Sequence, residues 1–533
     1  MRALRHRLPA AALAFALALL AGCGPGWRQA DTDVLRVSQR NEPATLDPHL
    51  ATLPDELFVL RAVLEGLTVP DPAGGPPLPG AAEGWTASED ARRFTFRLRA
   101  DARWSDGTPV TASDFLYSFR RALAPALGSP RADLFHAVRG AAAYHRGETT
   151  DFATVGFSAP DERTLVVETE EPTPHLPVLA ATGAWLPVHP RSVEAAGGIA
   201  ARDGGWTRPG RLVGNGPFLL AEWRPNQHLL LRPNPRHRDA ARVRVAAVRL
   251  QVYDSGDTEE RAFRAGQVDV TMAVPVAKLP AYAPPVLRRQ PLHETRHLVL
   301  NLAHPPLGDP RVRQALSLAL DRDALVTSVL RGGQQVAFGF LPPGLGGYAG
   351  GPRLRRDPDE ARRLLAEAGF PGGRGFPPIE LSAWGVSPAI LEAMQQMWRR
   401  ELGIEVPLVQ REGKVHLAAV AAGDFAVAFL PAIPDYDDPA ALLEDWRTGA
   451  PGNYARWSDP RFDALVAAAA RAADPAARRR LQVEAEEALL AGLPVVPVYF
   501  NTQNYLVAPR VRGWRQDPLW NRFYLDVSLE PDR

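Results

Sequence analysis

Apolar and polar positions along the chain fall into short strand-like runs and helix-like stripes. Val34-Leu35-Arg36-Val37 begins an extended stretch, and a proline-bearing loop follows over 38–49. Phe94-Thr95-Phe96-Arg97-Leu98 alternates apolar with polar residues, the period of two that marks a half-buried strand. Thr111 stands three residues before Asp114, a capping-box spacing that predicts a helix over 115–123. Asp309-Pro310 supplies an N-cap and a first-turn proline, and Val312, Leu316 and Leu320 continue on one helical face. Asp357-Pro358 repeats the device, with Glu360 placed to complete a capping box and Gly369 to end the helix. Asp474-Pro475 opens a third helix towards Leu490. Between these helices, Leu298 to Leu302, Phe425 to Phe429 and Val495 to Phe500 read as strands. Strands and helices mix without a strict βα repeat, an internal repeat or a low-complexity linker. The pattern predicts an α/β protein, and 533 residues exceed the roughly 250–300 that one core serves, so two or three interleaved lobes are expected.

The first 23 residues depart from that pattern. Arg2, Arg5 and Arg7 precede an apolar run from Ala10 to Leu20, too short to span a membrane, and Leu20-Ala21-Gly22-Cys23 resembles the bacterial lipobox. The resemblance implies a signal peptide over 1–22, a diacylglycerol thioether on Cys23, and an exported protein held on a membrane in the periplasm or at the cell surface. Cys23 is the single cysteine, which excludes a disulfide within the chain. Without the three leader arginines, 61 basic residues fall to 58 against 60 acidic, a net charge of −2. A nearly neutral, mixed surface argues against nucleic acid as a partner.

Two clusters bear on chemistry. His293-Glu294-Thr295-Arg296-His297 matches the H-E-x-x-H pattern of zinc hydrolases, which needs a helix to bring both histidines to one metal. Here Pro291 precedes the motif and an apolar strand follows it. Spacing along a strand would separate the histidines by about 13 Å, too far for one zinc. Asp435, Asp437 and Asp438 gather around Tyr436 and Pro439, by composition a turn. G-x-S-x-G and P-loop motifs are absent, so nothing favours an enzyme or a cofactor.

Several segments, in order along nearly the whole chain, resemble the family-5 extracellular solute-binding proteins, which include oligopeptide- and dipeptide-binding proteins of ABC importers. They are Glu42-Pro43-Ala44-Thr45-Leu46-Asp47-Pro48-His49, Trp104-Ser105-Asp106-Gly107-Thr108-Pro109 with its continuation to Phe115, Asn215-Gly216-Pro217-Phe218, Phe263-Arg264-Ala265-Gly266, Asp309-Pro310-Arg311-Val312-Arg313 and Asp435-Tyr436-Asp437-Asp438-Pro439. The resemblance implies a two-lobed periplasmic-binding-protein clamp of type II-like build, with an additional inserted domain. Lobe I would combine 24–65, 207–295 and 501–533, the inserted domain 66–206, and lobe II 296–500, with crossings near Arg296 and Phe500.

It further implies a monomer that closes on short peptides and hands them to the permease and ATPase subunits of an importer. By the same resemblance, Asp435 of the D-Y motif would hold the ligand ammonium, with Tyr436 beside it. The strand Phe429, Leu430, Pro431, Ala432 and Ile433 would pair with the ligand main chain, and Glu42 would stand in a loop at the cleft. The chain departs from the peptide-binding pattern at Ala432 and Gly413, where aromatics are familiar, and at Phe429, where an arginine can serve a ligand carboxylate. A roomier pocket is therefore expected. A nickel complex, haem or sugar stays open as an alternative cargo, with zinc hydrolysis at His293, Glu294 and His297 a more distant one.

Overall fold

The computed structural model describes residues 33–202 and 204–530; the leader and the lipidation candidate Cys23 lie outside them. Strand β1 (Val34–Gln39) opens the chain. A four-stranded antiparallel sheet follows, formed by β2 (Ala82–Ala87), β3 (Arg93–Leu98), β4 (Phe157–Asp161) and β5 (Thr164–Glu168) in the order β2-β3-β5-β4. Helix α1 (Ala112–Leu123) lies between β3 and β4, and its Thr111 and Asp114 form the reciprocal capping box expected of them. The chain then returns through β6 (Phe218–Arg224), β7 (His228–Pro233) and β8 (Ala247–Val252), and β8 pairs in parallel with β1. One hydrophobic core joins both sheets, from Leu35 through Trp104, Phe119, Phe135 and Trp185 to Val270.

The second body is built on six strands: β9 (Leu287–Leu300), β10 (Gln335–Val336), β11 (Leu381–Ala383), β12 (Leu408–Gln410), β13 (Val427–Ala432) and β14 (Val495–Leu506). Their order is β10-β14-β9-β13-β11-β12. Both faces are covered, which explains why these strands read as continuous apolar runs. Leu298, Leu300, Val427 and Phe429 point to one core, covered by α2 (Pro310–Leu318), α3 (Pro358–Glu367) and α4 (Pro388–Leu402). Val299, Ala428 and Leu430 point to the other, where α6 (Pro475–Gly492) packs; α5 (Gly413–Ala422) contributes Val420 there.

The N-caps Asp309, Asp357 and Asp474 all accept backbone N–H groups as their sequence predicts. Glu360 does not complete a capping box. Its carboxylate turns outward to Arg363, 2.6 Å away, while the Asp357 N–H donates to the Leu318 carbonyl.

Strands β9 and β14 run as one antiparallel ribbon from the second body into the first. Leu287 pairs with Leu506 at one end and Val299 with Val495 at the other. The register slips twice: residues 292–294 face only Asn501, and Val498 is skipped between Arg296 and His297. Pro291 and Pro497 flank these slips and carry no N–H to donate, so the ladder is weakest there.

Candidate ligand-binding site

Strand β13 leads to the aspartate cluster, and its two edges differ along its length. On one side it pairs with β9 throughout, from Val427 against Leu300 to Ala432 against Thr295. On the other, β11 covers only Val427 to Phe429, because β11 ends at Ala383. Leu430, Pro431 and Ala432 therefore have an edge with no strand beside it. Ile433 follows with 41% of its surface exposed, and Pro434, unable to donate to a ladder, ends the run.

This corrects two expectations. Phe429 is paired on both edges, and its ring is fully buried against Tyr499, so it offers neither main chain nor side chain to a ligand. The Leu430 side chain is likewise buried in the core, and its main chain turns to β9, where it pairs with His297. Alternation along the strand sends both residues inward, one to each core.

The segment after Pro434 is tied to four different parts of the molecule. Asp435 Oδ1 lies 2.8 Å from Arg131 Nη2, a residue between α1 and β4, and the two side chains are 32% and 36% exposed. Tyr436 is buried, with its ring stacked 5.8 Å from that of His175, and burial drives its phenol pKa well up. It joins the first body's core although it belongs to the second body's chain segment. Asp437 accepts the Gly346 N–H at 2.7 Å, and His293 stands 3.5 Å away. Asp438 accepts from Arg478 and Gln482 at 3.0 Å each, and Arg478 also reaches His175 Nδ1 at 3.1 Å. Burial, then the Arg478 charge, lowers His175 to about 4, so its ring is a neutral acceptor near pH 7.

Further carboxylates surround this point. Glu444 and Asp445 keep solvent-accessible side chains, although protein encloses them. Enclosure, and then the Asp435 charge, pushes Asp445 up to about 7. Enclosure likewise raises Asp435 itself, with Arg131 pulling it back and Asp133 adding to the rise. The arrangement is a wet, acidic recess with Arg131 beside it, suited to binding a cationic group.

Glu42 lies elsewhere. Its carboxylate accepts from Trp223 Nε1 and from the Asn226 N–H, which staples its loop to the β6–β7 hairpin. Gly413 is half-buried beneath Trp384. A Cβ there would meet the indole at 3.0 Å, and the indole also packs on His416. The space expected from the missing aromatic is thus partly filled by Trp384, just after β11. The H-E-x-x-H residues lie in β9, not on a helix. The buried His297 ring packs against Phe340 and Trp446, Glu294 pairs with Arg296 at 2.5 Å, and His293 turns to Asp437. Burial lowers both histidines to about 4. Among the described residues no group of three or more His, Cys, Asp or Glu is placed to hold a metal.

Arg131, His175, Trp384 and Asp445 were not singled out from sequence. Arg131 and His175 carry no local motif, and only the approach of the two bodies reveals them. Trp384 could have been flagged, since it directly follows β11, the strand that stops short beside β13.

The model of bacterial extracellular solute-binding proteins, family 5 (middle region), matches residues 76–454. The periplasmic oligopeptide-binding protein OppA of Escherichia coli K12 is 32% identical, over 98% of this chain and 97% of its own. The probable deoxycholate-binding periplasmic protein YgiS of the same organism is 31% identical over 92% of each chain. The solved structure of the Escherichia coli murein tripeptide-binding protein MppA superposes with a TM-score of 0.83 at 30% identity, covering 94% of this chain and 99% of that one. The unliganded open form of MppA, also at 30% identity, covers 94% and 98% but reaches only 0.76. The fold is thus the two-lobed, mixed α/β architecture of these periplasmic binding proteins, and the chain belongs to family 5 of the bacterial extracellular solute-binding proteins.

Proposed function

We propose that this protein captures short peptides by closure of its two lobes and presents them to the permease of an ABC importer, driven by the importer's ATPase subunits. The observation that carries the reading is the open edge of β13 over 430–432, running directly to Asp435. A peptide added to that edge exchanges main-chain hydrogen bonds without reading side chains, and its ammonium reaches an enclosed carboxylate. The bodies that close are lobe I (24–65, 207–295, 501–533) with its insertion (66–206), and lobe II (296–500). The slipped β9–β14 ribbon is the hinge. The chain acts as a monomer without a cofactor, and Cys23 anchors it through lipid on the outer side of a membrane.

A second reading has an observation of its own. Asp435 already faces Arg131, and one relative is named for deoxycholate, which has no amine, so a non-peptide cargo such as a nickel complex, haem or sugar is the alternative. Mass spectrometry of small molecules released on denaturation separates the two readings. Nested short peptides with free amino termini are expected, and a single amine-free species would overturn the peptide reading. Calorimetry with such peptides should show Asp435→Ala weakening binding by about 1.5–3 kcal/mol, the range for hydrogen bonds to charged groups. The loss stays below that of a fully desolvated pair because Asp435 is one-third exposed. Unchanged affinity would remove Asp435 as the anchor.

A further inference from the structure

The carboxylate at the end of β13 has a cationic partner supplied by the protein itself. Arg131 reaches it from the inserted segment, on the opposite body, through one contact of 2.8 Å between Nη2 and Oδ1. Among the described residues its guanidinium makes no other ion pair, and about a third of the side chain stays exposed, so the arginine is free to swing away. Its charge is also felt by Asp445, whose rise it partly offsets.

We propose that Arg131 is a built-in competitor for the ligand's ammonium. It occupies Asp435 when no ligand amine is bound and latches the two bodies together, and an incoming amino terminus must displace it. The proposal rests on the reading of Asp435 as the amine anchor. A guanidinium and an ammonium are both cationic N–H donors, and two positive charges drawn to one carboxylate repel each other, so each weakens the other's hold on Asp435.

Tethering gives the competitor an effective concentration on the order of millimolar, so a simple amine below that level loses to it. A peptide also gains the open edge over 430–432 and can win. Arg131 thereby works as a filter: an amine is admitted only when main chain comes with it. The apparent affinity of every amine-bearing ligand falls by the fraction of time the carboxylate is free.

The test uses the mature protein, its Arg131→Gln and Asp435→Ala variants, and a randomised tripeptide library with free or N-acetylated amino termini. Arg131→Gln should bind the free-amine library roughly tenfold more tightly, the gain if arginine holds the site about nine-tenths of the time. Affinity for the acetylated library should not change. Small-angle scattering of Arg131→Gln without added peptide should shift towards a larger radius of gyration, a readout that needs no ligand. Unchanged or weakened free-amine binding overturns the proposal, because Arg131 then idles or contacts ligand itself; an unchanged radius overturns the latch. If Asp435→Ala also binds the free-amine library like the unaltered protein, the anchor reading fails. If Asp435→Ala loses binding while Arg131→Gln gains nothing, only the competitor fails. Should neither library bind, scattering alone decides.

Discussion

Two arginine–aspartate pairs, built from arginines ten residues apart, show how the same chemistry serves opposite ends. Arg121, in α1, meets Asp47 through two prongs, Nη1 to Oδ1 at 2.9 Å and Nη2 to Oδ2 at 2.6 Å. Both side chains are essentially inaccessible, at 0% and 1% exposed. The guanidinium also donates to the Ala201 carbonyl and lies 3.0 Å from His49 Nδ1. Burial and the arginine charge keep His49 well below its usual pKa, hence a neutral acceptor. Arg131 meets Asp435 through one prong, across two bodies, with both groups a third exposed. The first pair engages both terminal nitrogens of its guanidinium and excludes water, so breaking it strands a buried charge. The second exchanges protein for water at little loss. Number of prongs, burial and the presence of secondary acceptors separate a permanent joint from a releasable one.

The comparison predicts a ranking. Arg121→Ala should lower the unfolding free energy in urea by about 3–5 kcal/mol, because Asp47 is left buried without its partner. A loss below 1 kcal/mol would erase the distinction drawn here. Asp435→Ala should change that same free energy by no more than about 1 kcal/mol, the range of exposed pairs. A larger loss would mean that the cleft pair is structural.

The smallest effect is on pH dependence. Asp445 has its carboxyl raised to about 7, so between its unfolded pKa near 4 and about 7 the folded chain binds more protons than the unfolded one. Its contribution to stability is therefore fullest at acid pH and declines as pH rises through that window. Asp445→Asn should flatten this part of a stability-against-pH curve measured by thermal melting, and an unchanged slope would show that Asp445 is not enclosed in solution.

Much of this architecture was legible in the chain. The Asp-Pro caps at 309–310, 357–358 and 474–475 set helix starts through contacts within one turn, and such local physics is written in adjacent residues. The apolar runs at 298–302, 425–429 and 495–500 marked strands covered on both faces, although β9 and β14 run well beyond those bounds. The candidate site was legible only as far as its local signal went. Asp435 and the strand before it were marked by resemblance, but the side chains of Phe429 and Leu430 were misplaced. Which neighbours cover a strand is a non-local fact, and burial on two faces leaves no alternation to read. The partners of Glu42 were hidden for the same reason, since Trp223 and Asn226 lie more than 180 positions away. The H-E-x-x-H string was decided by the period of its surroundings, which favoured a strand.

The early end of β11 at Ala383 has a consequence for measurement of length. It leaves three residues of β13 uncovered, a gap of about 10 Å at a strand's rise. Successive residues turn their main chain to alternate edges, so the Pro431 carbonyl and Ile433 just beyond it face the gap, and under the proposed reading the sheet works as a short ruler. A guest chain is gauged against main-chain partners over that stretch, and whatever extends past it meets only side chains and water. Lengthening β11 by two residues would blunt the ruler without altering any residue that touches the guest.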